Sequence, residues 1–215
     1  MKDIAVYGAG GFGREIACLI ENINQKDGKW NFIGFFDDGK KLGAMVSHFG
    51  PVLGGLSELN EYNSNIDIVM AIGNPQTVKK IVGNLSNKNI SFPNIVAPDF
   101  EQVDPRTFKM GKGNIIQSHC FASCDVEIGD FNTFNGSITL SHDNKVGSFN
   151  SFMPGVRISG EVEIGNGNFF GVGSIILQQI KIGDNVKLGA GSVLMRKPKS
   201  GNLYIGNPAK IFKFE

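Results

Sequence analysis

From residue 116 to residue 194 every sixth residue is apolar: Ile116, Ala122, Ile128, Phe134, Leu140, Val146, Phe152, Ile158, Ile164, Phe170, Ile176, Ile182, Leu188 and Leu194. Fourteen positions keep this register without an insertion, which argues against accidental spacing in an ordinary β-sandwich. Glycine follows the apolar residue at 18-residue intervals, as Ile128-Gly129, Val146-Gly147, Ile164-Gly165 and Ile182-Gly183, and Met110-Gly111 extends the series one step back. A six-residue period inside an 18-residue superperiod predicts a triangular β-helix with three six-residue sides per coil. Its apolar residues point inward, and glycine is expected where the chain bends tightly. Residues 18 apart then lie above one another, about 4.8 Å apart. That ruler stacks Gly160 on His142, Val172 on Pro154 and Ala190 on Val172.

Before residue 94 the pattern differs. Short apolar runs at 4–8, 32–38 and 67–73 read as strands. Residues 12–23, with Ile16, Leu19, Ile20 and Ile23 at helical spacing, and 75–85, opening on Pro75, read as helices. Strands alternating with helices imply parallel βαβ units. Residues 39–56 carry no readable pattern.

Other global signals are few. The formal charge of +1 gives no reason to expect nucleic acid or an anionic membrane as partner. Cys18, Cys120 and Cys124 have neither disulfide spacing nor metal-type clustering, which fits free thiols and a reducing, cytoplasmic setting. The N-terminus starts directly as a strand, without the apolar core of a signal peptide. No apolar run reaches the length of a membrane span.

Gly8-Ala9-Gly10-Gly11-Phe12-Gly13 fits G-x-G-x-x-G between a strand and a helix. Its glycines let backbone approach a phosphate, and the helix N-terminus attracts it. By itself the motif suggests NAD, with Asp37 at the end of the second strand holding a ribose. The short N-terminal segment is enough for half of a dinucleotide fold, and no second domain supplies a hydride acceptor. A mononucleotide or a nucleotide-linked sugar fits that size better.

Taken together, the hexapeptide stretch of 94–205, the closing GNPAK of 206–210 and the leading GAGGFGRE of 8–15 resemble the bacterial left-handed β-helix sugar acyltransferases. That family covers nucleotide-aminosugar N-acetyltransferases and sialic acid O-acetyltransferases. The resemblance implies a small α/β Rossmann-like domain over 1–93, then a left-handed parallel β-helix of about five coils over 94–215 with a short C-terminal tail. It also implies a homotrimer with active sites between subunits, acetyl-CoA as co-substrate, and no metal.

Acetyl transfer needs a base for the nucleophile's proton and a donor for the charge forming on the thioester oxygen. The family's motif of His followed by an acid matches His142 and Asp143, the base and its orienting carboxylate. The family's backbone oxyanion donor falls on Gly160, where the ruler also points. Adjacent strand residues face opposite ways, so the pair must sit at a bend to cooperate. Many members carry a second His nine residues on. Here that position, near the CoA thiol end, is Ser151, expected as a cofactor contact whose hydroxyl can hydrogen-bond but cannot act as a base. Val172 and Ala190 match positions that touch the pantetheine and adenine. The tail carries Arg196, Lys197, Lys199, Lys210 and Lys213 against one acid, Glu215. Of these, Lys197 and Lys210 are assigned to the CoA phosphates. For the nucleotide-linked sugar, the resemblance implies Gly10, Gly11 and Phe12 at the phosphates and Asp37 and Asp38 at the nucleotide. Gly73 and Asn74, from the Ala71–Asn74 segment, line the same pocket.

Three readings follow. The first is N-acetylation of a nucleotide-linked 4-amino-4,6-dideoxysugar for glycan or polysaccharide biosynthesis. The second is O-acetylation of sialic acid or a related sugar, for which Lys145 and Arg157 are candidate partners of an acidic substrate. The third is a β-helix protein that transfers no acyl group, either a scaffold or a metal-dependent carbonic anhydrase-like enzyme. The latter needs three converging histidines, and only His119 and His142 lie in the repeat region. His48 and His119 match no motif. Cys124 stacks one coil before His142, but no cysteine is placed for an acyl-enzyme.

Overall fold

The structure is a computed structural model that describes residues 1–213, so the Glu215 of the tail lies outside the described residues. It has two compact units, residues 1–73 with 77–98, and residues 74–76 with 99–215.

The first unit is built on a six-stranded sheet. Its elements are β1 (Lys2–Tyr7), α1 (Gly11–Asp27), β2 (Trp30–Phe36), β3 (Met45–Val46), β4 (Gly50–Gly54), α2 (Leu56–Asn60), β5 (Ile66–Met70), α3 (Pro75–Asn84) and β6 (Ile90–Ser91). The strand order is β3-β4-β2-β1-β5-β6. All neighbours are parallel except the β3–β4 hairpin. β5 is buried along its whole length, as an inner parallel strand must be. Its acid Asp67 is neutralised there by Lys2 Nζ at 2.6 Å and by the Trp30 indole N–H at 2.9 Å. α1 buries Ile16, Leu19, Ile20 and Ile23, the stripe read from the sequence. Absent from that reading are the β3–β4 hairpin, which lies in the patternless stretch, α2, which begins at its end, and β6. They are too short to show a period.

The second unit is a parallel solenoid. All fourteen six-spaced residues are inside, none more than 5% exposed. Strands 18 residues apart pair in parallel, as in Phe134↔Phe152, Leu140↔Ile158 and Val146↔Ile164. The Phe134, Phe152 and Phe170 rings stack through the centre at 4.7 and 4.8 Å, the spacing of neighbouring strands. Among the described residues, seven strands lie on the first face before the closing one (Ile95–Val96 to Leu203–Gly206), six on the second and five on the third. The solenoid therefore has about six coils rather than the five expected. Its last strand departs from the strict spacing. An antiparallel hairpin, Leu203–Gly206 with Ala209–Phe212, closes the stack.

A second ladder keeps the coils in register. Asn114, Asn132, Asn150 and Asn168 are fully or almost fully buried. Each Oδ1 accepts the backbone N–H of the residue 18 positions on, Asn168 Oδ1 that of Val186. The Nδ2 of Asn132, Asn150 and Asn168 also donates to the Oδ1 of the asparagine before it. For Asn114, Asn132 and Asn150 the same Nδ2 reaches the carbonyl 15 positions on. Each of these buried amides is thus satisfied by the coil beside it.

The glycine ladder has a different cause from the one expected. Gly129, Gly147 and Gly165 do not have positive φ. The left-handed corners fall elsewhere, as at Asp125 (φ 55°), Asp143 (φ 58°), Glu161 (φ 58°) and Gln179 (φ 62°). Glycine is required because coils meet backbone to backbone. A Cβ on Gly147 would lie 2.6 Å from the Gly165 carbonyl oxygen, and one on Gly129 would lie 2.7 Å from that of Gly147. Gly147→Ala should therefore cost about 3 kcal/mol through overpacking. Gly155→Ala should cost about 1 kcal/mol, for its left-handed backbone (φ 75°) alone. Denaturant titration of both variants checks this, and equal losses would mean that close approach does not set the ladder.

Candidate functional site

His142 and Asp143 occupy the corner that follows the Thr139–Leu140 strand. The left-handed backbone at Asp143 lets two consecutive side chains lean together, because a turn suspends strand alternation. His142 Nδ1 lies 2.7 Å from Asp143 Oδ2, with both side chains about half exposed. A carboxylate on Nδ1 fixes the tautomer that carries its proton there and leaves Nε2 bare. Backbone bonds brace the corner from both sides. Asp143 N donates to Cys124 O at 3.1 Å, and Glu161 N donates to His142 O at 2.9 Å.

Gly160 lies directly beneath the imidazole, where the ruler put it. A Cβ on Gly160 would stand 2.5 Å from His142 Nε2, so only glycine leaves the ring its place. The Gly160 N–H finds no acceptor among the described residues. A bare ring nitrogen beside a free backbone donor can take a proton and stabilise a developing oxyanion at one centre.

The assigned cofactor positions are dispersed. Val172 is 53% exposed and bonds through its carbonyl to Gly191 N at 2.8 Å, so Val172 and the exposed Ala190 form a column at another corner. Ser151 is only 3% exposed, on the strand Ser151–Phe152, and does not present its hydroxyl to solvent. Lys197 lines a groove of about 690 Å³ along the third face. Lys109, Glu127, Lys145, Glu163 and Lys181 alternate in charge along that groove. Lys210 is outside it, on the closing hairpin opposite Ile205. Hydrogen bonds from Lys109 and Lys181 hold the Glu127 and Glu163 carboxyls below their ordinary range. A depressed folded pKa means that these pairs stabilise above the unfolded value and are lost as pH falls through the folded one.

In the first unit the glycine loop divides into two kinds of position. A Cβ on Gly8 (φ 113°) would stand 2.6 Å from Ala71 O, and one on Gly13 would run into Gly8 O. Those two glycines are demanded by packing. Gly10, Gly11 and Gly73 have open space where a Cβ would be, and none has a positive φ. Neither close packing nor backbone conformation requires glycine at these three positions. No side chain caps the N-terminus of α1, which starts after Gly10, and its first turn holds no acid. Phe12, in that turn, is half-buried.

Asp37 and Asp38 are engaged within the unit. Asp37 accepts the N–H groups of Ala9 at 2.7 Å and Gly39 at 2.8 Å. Asp38 accepts from the Tyr7 hydroxyl at 2.5 Å and from Leu56 N at 2.9 Å. Burial, then the Asp38 carboxylate, pushes the Tyr7 hydroxyl upward, so it stays protonated and donates. The acidic pair therefore shapes the loop. Asn74 Oδ1 accepts Gln76 N at 2.9 Å at the start of α3.

Other reactive groups stand apart from this centre. His119 pairs with Asp99 at 3.2 Å, and His48 stacks on Phe49. No group of three metal-type side chains occurs among the described residues, and none of their helices is long and apolar enough to cross a membrane. The sequence reading passed over Asn144, a buried amide two residues after His142. The 18-residue ruler would have found it, since Val126, Val162 and Ile180 fill the equivalent places.

A three-sided solenoid with a histidine–carboxylate pair at one corner, headed by a glycine-loop α/β unit, is the build of a hexapeptide-repeat transferase. Residues 3–85 match the PglD N-terminal domain, and residues 161–196 match the bacterial transferase hexapeptide of six repeats. The acetyltransferase domain of PglB from Neisseria gonorrhoeae FA1090, solved with acetyl coenzyme A, is 29% identical, with TM-score 0.87 over 98% of this chain and 99% of that one. PerB from Caulobacter crescentus, solved with CoA and GDP-perosamine, is 25% identical, with TM-score 0.84 over 99% and 98%. WeeI from Acinetobacter baumannii AYE is 25% identical, with TM-score 0.87 over 99% and 100%. No curated protein matches the chain. Over nearly its whole length the chain is similar to left-handed β-helix sugar acetyltransferases with a PglD-type N-terminal domain.

Burial pushes the Cys120 thiol up to about 11, while Cys18 is exposed. At pH 8 a thiol-specific disulfide reagent should label Cys18 at once and Cys120 only on unfolding. Fast labelling of Cys120 in the native protein would overturn the inert, buried state of its thiol.

Proposed function

We propose that this protein transfers the acetyl group of acetyl-CoA to the amine of a nucleotide-linked amino-dideoxysugar, with His142 as general base. The observation that carries the reading is the placement of His142 Nε2 over Gly160, with Nδ1 held by Asp143. The structural relatives solved with acetyl-CoA, or with CoA and GDP-perosamine, support the choice of both substrates.

The amine nitrogen attacks the thioester carbonyl carbon, and His142 takes the proton that the nitrogen sheds. The Gly160 N–H holds the oxygen as it becomes an oxyanion. The carbon–sulfur bond then breaks, and the imidazolium, stabilised by Asp143, returns its proton to the departing CoA sulfur. The acceptor's diphosphate rests on the N-terminus of α1, at Gly10, Gly11 and Phe12. Gly73 leaves room in the same unit, while Asp37 holds the loop open through Ala9 N. Val172 and Ala190 offer an apolar strip to pantetheine, and Lys197 and Lys210 offer charge to the CoA phosphates. We assign Ser151 no step. A homotrimer with sites between subunits and a cytoplasmic location complete the reading.

Thiol release from acetyl-CoA with UDP-, GDP- and dTDP-linked 4-amino-sugars, CMP-sialic acid and free sialic acid tests it. One aminosugar nucleotide should support turnover, and His142→Ala should lower kcat at least about 10²-fold with CoA binding intact. Turnover with sialic acid alone would replace the amine by a hydroxyl acceptor, and absence of CoA binding would end the assignment. Gly11→Ala should fold normally yet bind the sugar nucleotide at least about tenfold more weakly. Gly13→Ala should lose stability instead. Unchanged nucleotide affinity in Gly11→Ala would detach the loop from the substrate.

A further inference from the structure

Asn144 is buried where the equivalent coils are aliphatic. Val126, Val162 and Ile180 occupy the same place on the other coils, and Asn144, like Val126 and Val162, has no exposed surface. Only the coil that carries His142 puts an amide there. Its Nδ2 donates to Ser141 O at 2.5 Å and to Ser159 O at 3.1 Å. Its Oδ1 is buried without a partner. The asparagines of the structural ladder contrast with it, because their Oδ1 atoms accept from the next coil. A residue selected for stability alone would be valine, as in the sister coils, since an unmet buried acceptor is unfavourable.

The two carbonyls that Asn144 holds belong to particular peptide groups. Ser141 C=O shares its peptide with the N–H of His142, and Ser159 C=O shares its peptide with the N–H of Gly160. In a planar trans peptide the N–H points opposite to the C=O. Drawing the Ser159 carbonyl inward to a buried amide therefore turns the Gly160 N–H outward. Donation to the carbonyl also polarises that peptide and strengthens its N–H as a donor. Because one amide holds both carbonyls, it also sets the distance between the base and the oxyanion donor.

We propose that Asn144 is a positioning residue that aims and polarises the Gly160 N–H and keeps it in register with His142. The proposal rests on the acetyl-transfer reading above. It assigns the cost of the unpaired Oδ1 to catalysis, because transition-state stabilisation depends on a donor fixed before charge develops.

The test compares the full-length wild type, His142→Ala, Asn144→Val and, in case valine disturbs the corner, Asn144→Ala. Each is measured for kcat, for KM of acetyl-CoA and of the sugar nucleotide, and for Tm. Asn144→Val should lower kcat about 10–100-fold. Both KM values should stay within about twofold, the pH–rate profile should keep its shape, and Tm should stay within a few degrees. A purely structural residue would lower Tm and leave the kcat of the folded fraction intact. Either that pattern, or a kcat within about twofold of wild type in both variants, overturns the proposal. A wild type that releases no thiol with any acceptor fails at an earlier point, removing the acetyl-transfer reading and this proposal with it. An active wild type, an inactive His142→Ala and a fully active Asn144→Val would leave the reading standing and remove only the role of Asn144.

Discussion

Backbone pairing at a fixed offset of 18 residues is the constraint on which the second unit depends. It brings Phe134, Phe152 and Phe170 face to face, and it puts each buried asparagine against the next. It also sets Gly160 under His142. One inserted residue in any side would rotate all later side chains out of place, turning apolar residues outward and breaking the amide ladder. Parallel pairing alone does not fix this register, since a β-strand can slip. The ladder does, because a shifted asparagine would leave both its amide and the neighbouring carbonyl buried without partners.

The same offset produces the geometry of the proposed site without a loop or lid. His142 and Asp143 are consecutive, and a left-handed corner aims them together. The Gly160 N–H, the oxyanion donor of the proposed function, arrives from the next coil by stacking. Both are held by rigid backbone, which suits a site whose function requires fixed dipoles. Asn144 shows the local cost of that precision, as a buried amide with one atom unmet within an aliphatic column.

Much of this was legible in the sequence because the period is long and unbroken. The fourteen core positions and the pairing of His142 with Gly160 followed from counting. Other features depended on physics that a repeat does not express. Left-handed corners are occupied by residues such as Phe131, Phe149 and Glu161 that carry no signal for positive φ, whereas the repeating glycines mark close contact between coils. Asp37 and Asp38 read in sequence as nucleotide contacts; their hydrogen bonds from Ala9, Tyr7 and Leu56 could not be read there, because only tertiary structure brings those groups near. Ser151, read in sequence as a cofactor contact, is buried on its strand, which the six-residue period does not reveal. The extra coil was missed because the closing strand breaks the six-residue spacing.

That closing strand has a consequence for the molecule among its own kind. A parallel stack ends in an unsatisfied row of N–H and C=O groups, the template on which identical coils of another molecule could add without limit. Here the strand Leu203–Gly206 turns back on itself, and Ala209–Phe212 pairs with it in the opposite direction. The outermost edge now runs antiparallel to the coils and carries the exposed Lys210. An incoming coil would meet the wrong strand direction and a charge together. On that face the hairpin replaces a free parallel edge by an antiparallel, charged one, which disfavours the addition of further coils there.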